Sequence, residues 1–221
     1  MSVWNTRHEA EQATAGELRP EGDSLQALFD SVDQCVDRLW KADSHFGRVT
    51  AVIATKARNL ALGCYSMSMD GLAQESGALL RPLIEALELL TYLRLDPTRV
   101  DEATDGRLPS AGIIAKRIEG EFKDLRDHLN SHASHISLAL DSMRHLLDIG
   151  AGQVRTTQPH RTSVLRHNLH MVFAVFARVA IECVNCVSVA DGRVDDDLAD
   201  RVEREKVRGL TVIAANPFGR S

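Results

Sequence analysis

Apolar residues recur every three or four positions along most of this chain, the spacing that lines side chains up on one face of an α-helix. Between Ser24 and Ala42 the stripe is Leu25, Leu28, Val32, Cys35 and Leu39, with Asp23 or Ser24 placed to cap it. From Ser44 to Met69 it is Phe46, Val49, Ile53, Ala57, Leu60, Cys64 and Met67, and Asp70-Gly71 supplies a break. Residues 72–95 are apolar around much of the circumference, with Leu79, Leu80, Leu83, Ile84, Leu87, Leu90 and Leu93, the mark of a central helix. Asp96-Pro97 ends that helix, because the residue before proline is pushed out of the α region.

After a short turn and loop, a fourth helix is predicted from near Ser110, with the stripe Ile114, Ile118, Phe122, Leu125 and Leu129 and His132 next in register. Ile136, Leu140, Met143 and Leu147 continue the pattern, directly or after a bend around Ser134. Gly150-Ala151-Gly152 stops it, and the polar connector QVRTTQPHRT has room for a short extended segment. The last long helix is predicted over Ser163–Ala190, on Leu165, Leu169, Phe173, Phe176, Ala180, Cys183 and Val187. Asp191-Gly192 closes it, and an acidic helix follows from about Asp195 to Val207. Residues 1–22 lack periodicity and are expected to form a flexible arm, with the bundle domain over 23–208 and a C-terminal tail over 209–221. No repeat or long alternation argues for a sheet, so the expected fold is all-α, a single bundle of about five or six major helices.

Length and composition sharpen this picture. The 221 residues suit one domain, and with aromatics at only 5% the core must consist mainly of Leu, Val, Ile and Ala. A formal charge of -5, with Arg and Lys spread along the chain, leaves no basic run as a footprint for nucleic acid. The cysteines Cys35, Cys64, Cys183 and Cys186 lie within apolar helical stretches, which favours reduced core thiols and a cytoplasmic location. The polar N-terminus resembles neither a signal nor a transit peptide. Arg178, Glu182 and Asn185 interrupt the apolar run of residues 169–190, which favours a buried central helix over a membrane span.

Several polar residues stand where packing prefers carbon. Arg81, Glu85 and Glu88 share one face of the third helix, and Arg178 and Glu182 repeat the Arg-x3-Glu spacing on the last. Buried ions need partners, so these residues either pair into a network that fixes helix register or form a ligand site. His128, His132 and His135 fall on one face of a continuous helix, where they are either metal ligands or polar packing at a helix end; no metal or cofactor is expected. Cys183-x2-Cys186 lacks the second pair a zinc site requires, and His167 and His170 either line a cleft or face water. A Gly-rich phosphate loop, a serine nucleophile elbow and a His-Glu-x-x-His helix are all missing, which lowers the weight of the common hydrolase and nucleotide-binding classes.

The stretches LLRPLIEALELLTYLRLDP, residues 79–97, and LRDHLNSHASHIS, residues 125–137, together resemble a bacterial all-helical family, a domain of unknown function similar to the HEPN superfamily. On that resemblance Arg81, Glu85, Asn130 and His135 occupy the group's recurrent positions. Active HEPN proteins carry an Arg-x4-6-His motif used in metal-independent RNA cleavage, usually across a homodimer. Arg126 to His132 matches its spacing, with Asp127 as the polar residue after the arginine. The resemblance then implies His132 as general acid or base and Arg126 as stabiliser of the phosphorane charge. The spacing also occurs at Arg38 to His45, Arg155 to His160 and Arg161 to His167, so only its place in the fourth helix singles out Arg126.

The leading expectation is a cytoplasmic helical binding or regulatory module of unassigned ligand, homodimeric, with RNA or protein as candidate partner and no membrane association. Its polar cluster would comprise Arg81, Glu85, His128, Asn130, His135, Arg178 and Glu182. The rival is a HEPN-like metal-independent ribonuclease of toxin or phage-defence type acting through Arg126 and His132.

Overall fold

The computed structural model describes residues 3–132, 146–148, 150–155 and 158–216, and these are almost entirely helical. In chain order the helices are α1 (Val3–Ala15), α2 (Arg19–Lys41), α3 (His45–Met69) and α4 (Ala73–Leu95). A 3-10 turn at Pro97–Arg99 leads into the short α5 (Val100–Thr104), followed by α6 (Ala111–Arg117) and α7 (Lys123–His132). An antiparallel pair, β1 (Leu147–Asp148) and β2 (Gln153–Val154), precedes α8 (Thr162–Asp191) and α9 (Asp196–Ala215). The fold is therefore an all-α bundle, with one minimal hairpin among the described residues.

Local chemistry explains several boundaries. Ser44 caps α3 by accepting a hydrogen bond from the Gly47 N–H at 3.0 Å, satisfying one of the free donors of the first turn. Asp96 ends α4 in extended conformation and accepts from the Thr98 N–H, so one residue stops a helix and starts a turn. Asp195 caps α9 through the Leu198 N–H. The αL conformation needed after α8 is supplied by Gly192, with φ 67°.

Three expectations need correction. Residues expected to form a flexible arm instead make α1 and the first turn of α2, where Pro20 suits the start of a helix. Packing holds this segment: Ala10, Leu18 and Thr6 are almost completely buried, and Arg7 pairs with Asp70. The predicted fourth helix is split into α6 and α7 by a turn in which Glu119 takes a positive φ of 53°. The tail expected from residue 209 is helical through Ala215, because Gly209 lies hard against the Phe173 ring and extends the docking of α9 onto α8. The continuation through Ile136, Leu140 and Met143 lies outside the described residues.

α8 packs against α2, α3 and α4, while α9 covers α2 and α8 from outside. Leu28, Val32, Leu39, Leu83, Ile84, Leu90 and Phe176 are wholly withdrawn from solvent at this junction. Each such side chain contributes about 1.5–3 kcal/mol of transfer free energy. The rings of Phe29 and Phe176 meet at 4.6 Å between centroids, a tilted aromatic pair between α2 and α8. By length and a mean hydropathy of 1.9, α8 is the helix apolar enough to cross a membrane among the described residues, and 67% of that apolar window is buried inside the bundle. α6 and α7 lie on the remaining side of α4.

Candidate functional site

The polar residues singled out on the third helix do share a face. Arg81, Glu85, Glu88 and Tyr92 follow one another at helical spacing along α4, on the side covered by α6 and α7. Arg81 Nε donates to Glu85 Oε1 at 3.1 Å, within the helix and about one third exposed. One turn further, Arg126 Nη1 of α7 donates to both Glu88 oxygens, at 2.9 and 2.7 Å. The Glu88 side chain is only 3% exposed and that of Arg126 13%. At the end of the row Arg117 Nη1 donates to the Tyr92 hydroxyl, which donates to Glu102, and the Arg99 guanidinium covers the Tyr92 ring at 4.2 Å.

Burial pushes the Glu88 carboxyl above its ordinary pKa, the Arg126 charge and hydrogen bond pull it back, and Glu85 pushes it up again. Gly120, in the turn between α6 and α7, comes so close that an added Cβ would lie 2.6 Å from Glu88 Oε1. The turn that breaks the predicted fourth helix is thus the place where the backbone closes over the Glu88–Arg126 pair.

The two α8 residues do not pair with one another. Glu182, 8% exposed, receives Arg94 of α4, whereas Arg178 turns outward to Glu121 and both remain about half exposed. The pairing expected between the two central helices is made at Glu182 by Arg94, a residue not singled out, while Arg178 bridges away from α4 to the turn before α7. His128 is exposed on α7, and Asn130 carries a buried Oδ1 without a hydrogen-bond partner among the described residues. The His132 side chain and all of His135 lie outside the described residues. Among the described residues, no three or more His, Cys, Asp or Glu side chains are grouped to hold a metal ion. Cys183 and Cys186 are buried with their thiols pushed up by desolvation.

Two polar sites were not anticipated. The first is internal: Glu21 of α2 faces Arg166 Nε at 3.3 Å and His170 Nε2 at 3.5 Å, beside the buried Ser24. Glu21 Oε1, Ser24 Oγ, Arg166 Nε and His170 Nε2 are all buried without a hydrogen-bond partner among the described residues. His170 is therefore a core residue, and burial holds its pKa below the ordinary value against the pull of Glu21.

The second is a cavity of about 600 Å³ at the start of α8. Its walls come from α1 at Thr6, the α3–α4 corner at Ser68 and Gly71, the hairpin at Asp148 and Arg155, and the first turns of α8. Thr6 donates to the Gln158 carbonyl at 2.7 Å, joining two walls that are far apart in sequence. Gly71, with φ 78°, makes the sharp corner; a Cβ there would lie 2.9 Å from Thr6 Cγ2 and 3.2 Å from Gln158 Cβ. None of the candidate site residues chosen from the sequence lines this cavity among the described residues. The connector that forms it showed only polar composition and chance Arg-to-His spacings.

Comparison of the chain with protein-family models, curated proteins and solved structures finds no match.

Proposed function

We propose that the protein is a helical binding or regulatory module whose ligand occupies the cavity at the start of α8. The cavity itself carries this reading: about 600 Å³, bounded by α1, the α3–α4 corner, the hairpin and the start of α8, and lined by polar and apolar side chains together. That volume lies within the roughly 300–1,000 Å³ range of small-molecule sites. The row on α4 supports a structural role instead. Its most buried members, Glu88 and Tyr92, are held by Arg126 of α7 and Arg117 of α6, and Arg126 is committed to both oxygens of Glu88.

This pairing bears on the ribonuclease reading, in which Arg126 would meet a scissile phosphate. Its donor atom would have to leave a buried carboxylate that has no other cation hydrogen-bonded to it among the described residues. The observation favours the binding module. The test is a small-molecule screen by ligand-observed NMR, repeated with Val164→Trp, a substitution at a partly exposed cavity-lining position. Hits lost in the variant support the proposal, and hits indifferent to it count against it. Metal-independent cleavage of total RNA, abolished by Arg126→Ala and by His132→Ala in folded protein, would replace it with the ribonuclease reading.

A further inference from the structure

We infer that the α8 cavity takes a small organic anion, a carboxylate or phosphate monoester on a partly apolar body, with Arg161 receiving the charge; this rests on the binding reading above. Arg161, Val164, Leu165 and Asn168 stand at i, i+3, i+4 and i+7, so the first two turns of α8 present one strip to the cavity. The strip has a guanidinium at one end, two branched apolar side chains in the middle and a carboxamide at the other end. Leu147 and Pro159 extend the apolar surface.

The polar groups around the cavity are not equally free to meet a ligand. The Ser68 hydroxyl is tied to the Cys64 carbonyl and to Ser76, and the Thr6 hydroxyl is spent on Gln158. Arg155 is neutralised by Asp148 at 3.2 Å, and nearby Arg7 by Asp70. His160 Nε2 lies 3.1 Å from the Thr162 hydroxyl. Arg161 differs from its neighbours: it is exposed and has no hydrogen-bond or ion-pair partner among the described residues.

Among the described residues the lining therefore carries one uncompensated positive charge, in a chain whose formal net charge is -5. The start of the 30-residue α8 adds its positive dipole end on the same side. A neutral ligand seated against Arg161 would strip water from the guanidinium without replacing the lost interaction, and a cation would be repelled. An anion restores the charge balance, and its apolar body covers Val164 and Leu165. Asn168, with both a donor and an acceptor, can hold a polar substituent at the far end.

The experiment titrates the full-length protein with matched probes by calorimetry: benzoate and phenyl phosphate as anions, benzamide and benzyl alcohol as neutral counterparts. The expected result is binding of at least one anion at least tenfold tighter than its neutral counterpart, weakened by about tenfold or more in Arg161→Ala and abolished by Val164→Trp. Added salt should weaken it as well. Benzoate and phenyl phosphate distinguish the carboxylate from the phosphate source. If the neutral probes bind as tightly as the anions, and Val164→Trp removes all of them, the anion inference fails while the binding reading survives. If no probe binds, or binding ignores Val164→Trp, the anion inference is overturned; the wider ligand screen still tests the cavity. Asn168→Phe serves as a second filling variant, and far-UV circular dichroism confirms that each variant is folded.

Discussion

Replacing Arg126 by alanine perturbs one buried contact whose consequence can be worked out. The substitution leaves Glu88, 3% exposed, without the cation that neutralises it and donates to both its oxygens. Removing one partner of a buried pair costs about 3–5 kcal/mol, and the low end, about 3 kcal/mol, applies here because Glu88 can escape by taking up a proton. That escape gives the loss a pH signature. The folded protein already holds the Glu88 proton more tightly than the unfolded chain does, so stability from this group falls as pH rises through its raised pKa. Without Arg126 the pKa rises further. The deficit of Arg126→Ala relative to the parent should therefore be widest near about pH 8 and shrink toward about pH 5. Urea unfolding followed by circular dichroism at several pH values measures it. The double replacement Glu88→Leu with Arg126→Leu should recover most of the loss, since an apolar pair needs no neutralisation. A deficit below about 1 kcal/mol, or one that does not change with pH, would refute the assignment of this pair as a buried structural contact.

Gly209→Ala should destabilise the protein by about 1–3 kcal/mol in the same unfolding assay, because the new methyl group would overlap the Phe173 ring and push α9 off α8. His170 and His167 both have pKa values held below the ordinary one, chiefly by burial. The unfolded chain then binds protons more readily, so their contribution to stability is intact above the unfolded value of about 6.5 and is lost as pH falls below it. His170→Gln should flatten the fall in melting temperature between about pH 7 and pH 5; an unchanged slope would sink this account. The thiols of Cys35 and Cys64 are pushed up to about 12 by burial, and those of Cys183 and Cys186 are raised as well. All four should resist an aromatic disulfide reagent in native buffer and react on unfolding, and rapid native labelling would contradict their burial.

The long helices were legible because their stripes are dense and their ends carry local chemistry, such as Ser44 before α3 and Asp96-Pro97 after α4. α1 was not, since its buried positions are small, chiefly Thr6 and Ala10, while Trp4 points to solvent. Tertiary partners such as Asp70 and Gln158 hold it, and they leave no trace in the local pattern. Spacing correctly placed Arg81, Glu85 and Glu88 on one face, yet it did not give the partners of Arg178 and Glu182. Those depend on how helices from distant parts of the chain rotate against one another, and Arg94 and Glu121 are close only after folding. The cavity was illegible for the same reason. Its walls are drawn from residue 6, residues 68–73 and residues 147–168, none of which forms a motif alone.

The bond from Thr6 to Gln158 has a dynamic consequence. α1 touches α2, α3 and α8 far less extensively than α8 touches α2, α3 and α4, so its opening requires less free energy than separating α8 from the bundle. Amide protons of α1 should exchange with deuterium well before those in the middle of α8. Fraying of this first helix would then unseal one wall of the cavity while the bundle behind it stayed assembled.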